Sequence, residues 1–246
     1  MIRGVGLYMN RKINQIKMSN PATKTNQKNN FRSDLKIIVI GTSGTGKTSF
    51  VNKWTKNIFN EAYKATIVSE FGFKIFENEG KLYRIQLWDL AGQDKNATIT
   101  KIFAKDAHGC VVLSDATNKA TLEETIKWKK SVDDSSVFID GGKLPCVLVE
   151  NKIDLLPESE AKDDTQLKEF AEKNEFCGQF RASAKTGVNI NESMEYLIRE
   201  IIKRMESFAS QGNDVFTSDR KSVVLDTKKH TDSQVAKGKK KDNDCC

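Results

Sequence analysis

Residues 41–48 read Gly-Thr-Ser-Gly-Thr-Gly-Lys-Thr and combine flexible glycines with an ammonium group and hydroxyl groups. Glycines at this spacing let the backbone curl so that successive N–H groups point inward, which suits a chain of phosphates. The ammonium of Lys47 would reach the β- and γ-phosphates of a nucleotide, and the hydroxyl of Thr48 would bind Mg²⁺. An apolar strand precedes this stretch and a helical pattern follows it, so a chance turn rich in Gly, Ser and Thr is the weaker interpretation. The predicted phosphate-binding residues are Ser43, Gly44, Thr45, Gly46, Lys47, Thr48 and Ser49.

Two polar clusters further along the chain carry groups that could complete a metal and phosphate site. Thr66 offers a second hydroxyl for Mg²⁺, from a loop that could sense the terminal phosphate. Asp89 ends an apolar stretch, and its carboxylate would hold the metal through water. Just beyond it, the N–H of Gly92 can bind the γ-phosphate, and Gln93 can orient an attacking water molecule. We therefore expect Gln93 to be the catalytic residue.

Two more clusters, Asn151-Lys152-Ile153-Asp154 and Ser183-Ala184-Lys185, each follow a short apolar strand. The carboxylate of Asp154 can accept hydrogen bonds from the N1–H and amino groups of guanine, whereas adenine would present an acceptor to it. Taken alone, Asn-Lys-x-Asp is a common surface turn, and only its place behind a phosphate loop makes it informative. The sequence therefore predicts a guanine site formed by Asn151, Lys152, Asp154, Ser183, Ala184 and Lys185.

Alternating strands and helices must position these clusters. Apolar or alternating patterns predict strands over 35–40, 69–77, 82–88, 109–113, 146–149 and 179–181, and helices over 49–56, 121–132, 166–174 and 190–208. Phe71, Phe73 and Ile75 alternate in the second strand, which predicts that this strand is half-buried. We expect an α/β fold with a mostly parallel six-stranded sheet, one antiparallel edge strand and flanking helices. In such folds ligands bind beyond the carboxyl ends of the strands, where the polar clusters lie.

The net charge of +7 is distributed unevenly along the 246 residues. Residues 1–33 hold seven Lys/Arg and no acidic residue, and residues 212–246 hold eight Lys/Arg against six Asp. The part between them is slightly acidic, so we expect no nucleic-acid partner. We divide the chain into a basic, disordered extension (1–33), a nucleotide-binding domain (34–210) and a flexible tail (211–246).

The flanking segments and the cysteines bear on where the protein works. The extension is either a solvated charged tail or a weak electrostatic contact with a membrane. No apolar run approaches the roughly 20 residues of a membrane span, and the N-terminus does not have the apolar stretch of a signal peptide. Cys110, Cys146 and Cys177 lie in or near apolar stretches, and we interpret them as reduced core thiols of an intracellular protein.

The order of these clusters resembles the Ras superfamily of small GTPases and, within it, the Rab family over residues 34–209 and again at the end of the chain. The matching motifs are Tyr63-Lys64-Ala65-Thr66-Ile67, Leu87-Trp88-Asp89-Leu90-Ala91-Gly92-Gln93, Asn151-Lys152-Ile153-Asp154 and the terminal Cys245-Cys246. The loop over 133–143, Trp128-Lys129 and Phe176-Cys177-Gly178 are similar to the Rab branch linked to lysosome-related organelles. The resemblance implies the small-GTPase fold, Mg²⁺ as cofactor and GTP or GDP as ligand.

The resemblance also assigns residues that the patterns alone do not. Phe59 falls where the family packs a phenylalanine against the guanine base, and Tyr63 belongs to the same nucleotide-binding region. Phe71, Trp88 and Phe103 occupy the positions of the effector-facing aromatic patch, although ordinary core packing is an alternative for them. Cys245 and Cys246 match the Rab ending that carries two geranylgeranyl groups, and the lysines before them would favour anionic lipids.

The function expected from the sequence is a membrane-anchored GTP/GDP switch that hydrolyses GTP slowly and recruits effectors in vesicle or organelle traffic. The partners that the family implies are an exchange factor, a GTPase-activating protein, a dissociation inhibitor and a prenylation escort. The family also implies a location on the cytoplasmic face of endomembranes, including late endosomes or lysosome-related organelles, together with a cytosolic pool. Asp94-Lys95-Asn96, Val68 and Arg181-Ala182 depart from the family pattern, which puts the choice of regulators and effectors in doubt. A non-hydrolysing GTP-loaded scaffold and a P-loop kinase or ATPase stay open as alternatives.

Overall fold

Six strands form one sheet in the computed structural model, which describes residues 31–61, 70–92 and 102–212. The strands are β1 (Phe31–Gly41), β2 (Glu70–Asn78), β3 (Lys81–Asp89), β4 (Gly109–Asp115), β5 (Cys146–Asn151) and β6 (Gly178–Arg181). The helices are α1 (Lys47–Lys56), α2 (Lys119–Asp133), α3 (Glu158–Lys162), α4 (Thr165–Lys173) and α5 (Ile190–Ser210), with a 3₁₀ turn over Ile153–Leu155. Most of the basic extension and of the tail lies outside the described residues.

The strand order across the sheet is β2-β3-β1-β4-β5-β6. β2 runs antiparallel to β3, and every other neighbouring pair is parallel. Glu79 and Gly80 join β2 to β3 with φ values of 51° and 72°, as a two-residue hairpin turn requires. The predicted α/β sheet with one antiparallel edge strand is therefore confirmed.

β1 begins at Phe31, four residues before the predicted start, because polar side chains hold its first part to β3. The carboxylate of Asp34 accepts from Arg84 Nε at 2.9 Å and from Gln86 Nε2 at 3.2 Å. Apolar periodicity cannot detect an extension of this kind, since the contacts that favour it are ionic and lie on an exposed face.

The core lies on both faces of the three central strands. β4 and β5 are buried along their whole length, as expected of parallel strands covered on both sides. In the first and last helices, apolar residues recur at spacings of three and four, which predicts one apolar face on each. Both faces are buried, and they comprise Phe50, Val51 and Trp54 on α1 and Met194, Leu197, Ile198, Ile201 and Met205 on α5. Cys110 and Cys146 are buried free thiols, while Cys177 is only partly buried.

β2 is half-buried as predicted, but its apolar side chains form the exposed face. Phe71, Phe73 and Ile75 are 36, 53 and 51% exposed. The opposite face meets α1, where Gly72 lies against the side chains of Val51 and Thr55. Alternation gives the period of a strand but not the face that a helix covers, and here the close approach of α1 selects the glycine face.

α2 also buries a face that its apolar pattern does not indicate. The apolar residues of this helix are paired four apart, as Leu122 with Ile126 and Trp128 with Val132, which predicts an apolar face. Val132 is buried, but the other buried residues are Thr121, Thr125 and Lys129, and Ile126 is 37% exposed. The polar groups on the buried face have nearby partners, since Thr125 Oγ1 donates to the carbonyl of Leu122 at 2.5 Å and Lys129 Nζ to Asp133 at 2.7 Å. Because these groups are satisfied within the helix, a polar face can pack against the sheet.

Candidate nucleotide site

The turn between β1 and α1 is held open by a glycine directly before the helix. Gly46 has φ 90°, and its carbonyl accepts the first helical hydrogen bond from the N–H of Phe50 at 2.8 Å. A Cβ at this position would collide with the side-chain amide of Asn151. Both the backbone angle and the close approach therefore require glycine, as the sequence pattern predicts.

The ammonium of Lys47 spans the turn that precedes its own helix. Its Nζ donates to the carbonyls of Gly41 at 2.9 Å and Thr42 at 3.0 Å. Burial lowers the pKa of Lys47 to about 8, although the nearby charge of Asp89 acts in the opposite direction. A buried ammonium held by carbonyls alone is poorly compensated, so phosphate oxygens would be favourable partners for it.

The residues predicted to hold Mg²⁺ meet where β3 ends beside α1. Thr48 Oγ1 donates to Asp89 Oδ2 at 2.5 Å, and Asp89 is fully buried. A hydroxyl oxygen and a carboxylate at the mouth of a phosphate-binding turn are hard oxygen ligands of the kind that Mg²⁺ prefers. This donor set fits the metal, whether the carboxylate contacts it directly or through water.

Gly92 lies directly against the phosphate-binding turn. A Cβ at Gly92 would clash with the Lys47 ammonium and would lie 2.6 Å from the N–H nitrogen of Ser43 and 2.8 Å from the carbonyl oxygen of Gly41. The segment after β3 can therefore approach the turn this closely only with glycine. The structure thus brings Gly92 to the side of the turn where a terminal phosphate would lie.

Asn151 links the turn to the two loops predicted to contact the base. Its Nδ2 donates to the carbonyl of Thr45 at 2.9 Å, and its Oδ1 accepts from the N–H of Ala184 at 3.0 Å. Asn151 is 1% exposed, so both hydrogen bonds are shielded from water. The loops after β1, β5 and β6 are consequently fixed to one another through one side chain.

Asp154 and Ser183 form the outer part of the same arrangement. Ser183 Oγ donates to Asp154 Oδ1 at 2.5 Å and accepts from the N–H of Thr186 at 3.0 Å. Ser183 is fully buried, whereas Asp154 lies exposed at the surface. The hydroxyl orients a carboxylate that a ligand can still reach.

Lys152 and Lys185 flank this carboxylate, and each pairs with an acidic residue. Lys152 has φ 72° and its Nζ lies 2.6 Å from Asp115 Oδ2, while Lys185 Nζ lies 3.0 Å from Glu61 Oε1. Burial alone would raise the pKa of Asp115, but hydrogen bonds from Lys152 and Thr117 lower it below its usual value. The Asp115 carboxylate therefore stays ionised and holds Lys152 beside the loop.

The three predicted effector-facing aromatic residues are neighbours. The rings of Phe71 and Trp88 lie 5.2 Å apart in an edge arrangement, and those of Trp88 and Phe103 lie 5.8 Å apart. Phe71 is exposed, whereas Trp88 and Phe103 are partly buried against the core. The three rings thus form one continuous surface that extends onto the exposed face of β2.

The remaining predicted residues either have few described contacts or lie outside the described residues. Phe59 is partly buried and packs against the core. Tyr63, Thr66, Gln93, Cys245 and Cys246 lie outside the described residues, as do Val68 and Asp94-Lys95-Asn96 among the departures from the family pattern.

Two side chains of α2 reach the site although no motif assigned them to nucleotide binding. Thr42 Oγ1 donates to Glu124 and accepts from Trp128 Nε1 at 3.3 Å. Glu124 and Trp128 are four residues apart and share a helix face, and this spacing is the signal by which they could have been found. Arg181, one of the departures from the family pattern, forms an ion pair with Glu150 on the neighbouring strand, with 2.9 Å between Nη2 and Oε2.

The part of the chain that forms the sheet and the candidate site matches known proteins. Residues 36–203 match the model of the Ras family. The chain is 35% identical to the human Ras-related protein Rab-32 over 181 residues, covering 73% of this chain and 80% of the relative. It is 33% identical to mouse Ras-related protein Rab-7L1 over 183 residues (72% and 89%) and 36% identical to Rab-32A of Dictyostelium discoideum over 170 residues (68% and 78%).

Proposed function

This chain belongs to the Rab branch of the Ras family of small GTPases, and we propose that it is a membrane-anchored switch whose GTP-bound form recruits effectors in vesicle and organelle traffic. GTP hydrolysis and a role in trafficking follow from the family. The details of metal binding, turnover and anchoring are our proposal. The observation that carries it is the double hydrogen bond of Asn151, which joins a phosphate-binding turn to a guanine-type loop.

The phosphate side of the site would work through a few charged and polar groups. The Lys47 ammonium would exchange the carbonyls of Gly41 and Thr42 for β- and γ-phosphate oxygens. Thr48 and Asp89 would hold Mg²⁺, with Thr66 as a further ligand, and the metal would neutralise charge on the phosphates. The N–H of Gly92 would bind the γ-phosphate, and Gln93 would orient the attacking water.

The base side of the site would select guanine. The Asp154 carboxylate, held by the Ser183 hydroxyl, would accept from N1–H and the exocyclic amino group. Asn151 would fix the loop and the N–H of Ala184 near the base, with Phe59 packing on the ring. This arrangement disfavours a P-loop kinase or ATPase, because adenine would leave the carboxylate facing an acceptor.

Turnover by the protein alone is expected to be slow. The phosphate-binding turn contains no arginine, and none in residues 59–66 is placed to act as an arginine finger in cis. A GTPase-activating partner would supply such a group, an effect of about 10³–10⁵ in related enzymes. After hydrolysis the contacts of Thr66 and Gly92 with the γ-phosphate disappear, which would release the effector surface around Phe71, Trp88 and Phe103.

The relatives named Rab-32 support a place in the branch linked to lysosome-related organelles. We place the protein on the cytoplasmic face of intracellular membranes, held by lipid groups on Cys245 and Cys246. No helix among the residues that the structure describes is long and apolar enough to cross a bilayer.

The test is single-turnover phosphate release from GTP-loaded protein, compared with Gln93→Leu. Slow release that falls further in the variant would support a hydrolysing switch. If neither protein releases phosphate even with candidate activating proteins, the scaffold alternative holds instead. Competition by ATP as strong as that by GTP would favour the kinase or ATPase alternative.

A further inference from the structure

The backbone of Thr42 is central to how the phosphate-binding turn is held. Its carbonyl accepts from Lys47 Nζ at 3.0 Å and from Thr45 Oγ1 at 2.9 Å. Both donors belong to the turn itself, so the position of this carbonyl affects where the Lys47 ammonium lies. Any group that fixes Thr42 from outside therefore acts on the phosphate-binding geometry.

Two side chains of α2 fix Thr42 in this way. The Thr42 hydroxyl donates to the Glu124 carboxylate and accepts from Trp128 Nε1 at 3.3 Å, so the hydroxyl is used in both directions. Trp128 is partly buried and packs against the core, which limits the positions its N–H can take. The hydrogen bond to Glu124 is charge-assisted and is the stronger of the two.

The helix that carries these side chains is itself firmly placed. Lys129 and Val132 are buried beneath it, and its first turn is held by Thr121, whose hydroxyl accepts from the N–H of Asp115 at 2.8 Å. Asn151, at the end of β5, donates to the carbonyl of Thr45 in the same turn. The turn is thus held both from α2 and from the end of β5. Asn151 belongs to the predicted guanine motif, whereas Glu124 and Trp128 were not assigned to the nucleotide by any motif.

We propose that Glu124 and Trp128 are positioning residues that hold Thr42 and thereby slow the release of bound nucleotide. Because this inference concerns how the same turn retains its ligand, it rests on the proposed function. Both side chains contact Thr42, which is not itself one of the predicted phosphate, metal or base ligands, and both act through it. The alternative is a purely structural role, in which the two contacts attach α2 to the rest of the domain and do not affect nucleotide release.

The test is the dissociation rate of fluorescent GDP from the full chain in excess Mg²⁺ and unlabelled GDP. Glu124→Ala and Thr42→Val should each speed release about five- to twentyfold, since each removes a charge-assisted hydrogen bond. Glu124→Gln should release GDP at close to the wild-type rate, because its amide oxygen can still accept the hydrogen bond from the Thr42 hydroxyl. Trp128→Phe removes the N–H together with the five-membered ring of the indole, and since the bond to Trp128 is the weaker of the two, it should change release only about twofold.

Glu123 provides the matched control. It lies next to Glu124 and is exposed, so Glu123→Ala removes the same charge from the same helix and should leave release within about twofold of wild type. In the double variant Thr42→Val/Glu124→Ala the two effects should not add, because both remove the same bond. Circular dichroism and one bound GDP per chain would verify that each variant is folded.

Two results would overturn the inference while leaving the proposed function intact. One is Glu124→Ala releasing GDP at the rate of Glu123→Ala. The other is additive effects of Thr42→Val and Glu124→Ala, which would mean that Glu124 acts only within its helix. Wild-type protein that retains no guanine nucleotide would overturn the proposed function as well, and this is seen before any variant is made.

Discussion

The side-chain amide of Asn151 donates to the carbonyl of Thr45 across 2.9 Å, from the end of β5 into the turn that follows β1. The oxygen of the same amide accepts from the N–H of Ala184, so one buried residue connects the predicted phosphate side and the predicted base side of the site. Because Asn151 is 1% exposed, water does not compete for either hydrogen bond, and both are stronger than they would be at the surface.

Gly46→Ala should weaken GDP binding by about five- to thirtyfold, or roughly 1–2 kcal/mol. The substitution places a Cβ at φ 90° and against the Asn151 amide, so the turn or Asn151 must shift. Gly80→Ala is the control, because it has a similar φ of 72° in the distant hairpin with nothing near its Cβ. It should cost stability without changing affinity, as measured by GDP titration. Equal affinities for both variants would contradict the assigned role of Gly46.

Asp154→Asn should exchange guanine preference for xanthine preference. The amide turns one acceptor oxygen into a donor, which suits the additional carbonyl of xanthine and leaves the guanine amino group unpaired. GDP affinity should fall by about 10- to 100-fold, as expected for an unpaired polar group costing about 1–3 kcal/mol. Competition between GDP and XDP measures the change, with Asp134→Asn at the exposed end of α2 as control. Unchanged GDP affinity would refute the base assignment.

Nucleotide binding at pH 8.5 should be accompanied by uptake of a substantial fraction of one proton. Burial lowers the pKa of Lys47 to about 8, so much of the free protein carries a neutral amine at this pH. Adjacent phosphates raise that pKa, so binding protonates Lys47 and affinity should fall as pH rises above about 8. Calorimetry in buffers of different ionisation enthalpy measures the uptake. Lys47→Arg, which stays charged, should abolish it, and persistent uptake would assign the proton to another group.

Lys129→Ala should destabilise the protein by about 3 kcal/mol, because it removes the close cationic partner of the Asp133 carboxylate at the buried face of α2. The side chains of Lys129 and Asp133 are only 5 and 15% exposed and lie 2.7 Å apart. Replacing both, as Lys129→Met/Asp133→Leu, should restore most of the lost free energy of unfolding. Urea denaturation measures both variants, with the exposed Lys130→Ala expected within about 0.5 kcal/mol of wild type. A double variant less stable than Lys129→Ala would show that the charges are needed for more than mutual neutralisation.

Cys245→Ser combined with Cys246→Ser should move the protein from the membrane fraction to the soluble fraction of expressing cells. One lipid chain gives only marginal attachment and two give stable anchoring. Cys245→Ser alone should therefore show intermediate, salt-sensitive attachment, because the basic residues of the tail would then matter more. Membrane association that survives loss of both cysteines would indicate another anchor.

The sequence by itself determined the glycine turn over 41–48, the order of the six strands and the four longer helices, and the apolar faces of α1 and α5. These features depend on residues close together in the chain, so periodicity and spacing report them directly. The local pattern also indicates that position 46 needs glycine, although the Asn151 side chain that approaches it is distant in the sequence. The sequence did not predict the short helix α3 or the 3₁₀ turn over Ile153–Leu155.

Only the tertiary structure decided which face of β2 and of α2 is buried. Phe71, Phe73 and Ile75 are exposed because α1 needs the small Gly72 beneath it, and Lys129 is buried because Asp133 neutralises it within the same helix. The contact of Glu124 and Trp128 with Thr42 likewise joins segments about 80 residues apart. Local patterns cannot encode such choices, since they are set by which surfaces meet when the chain packs and not by the period of any one element.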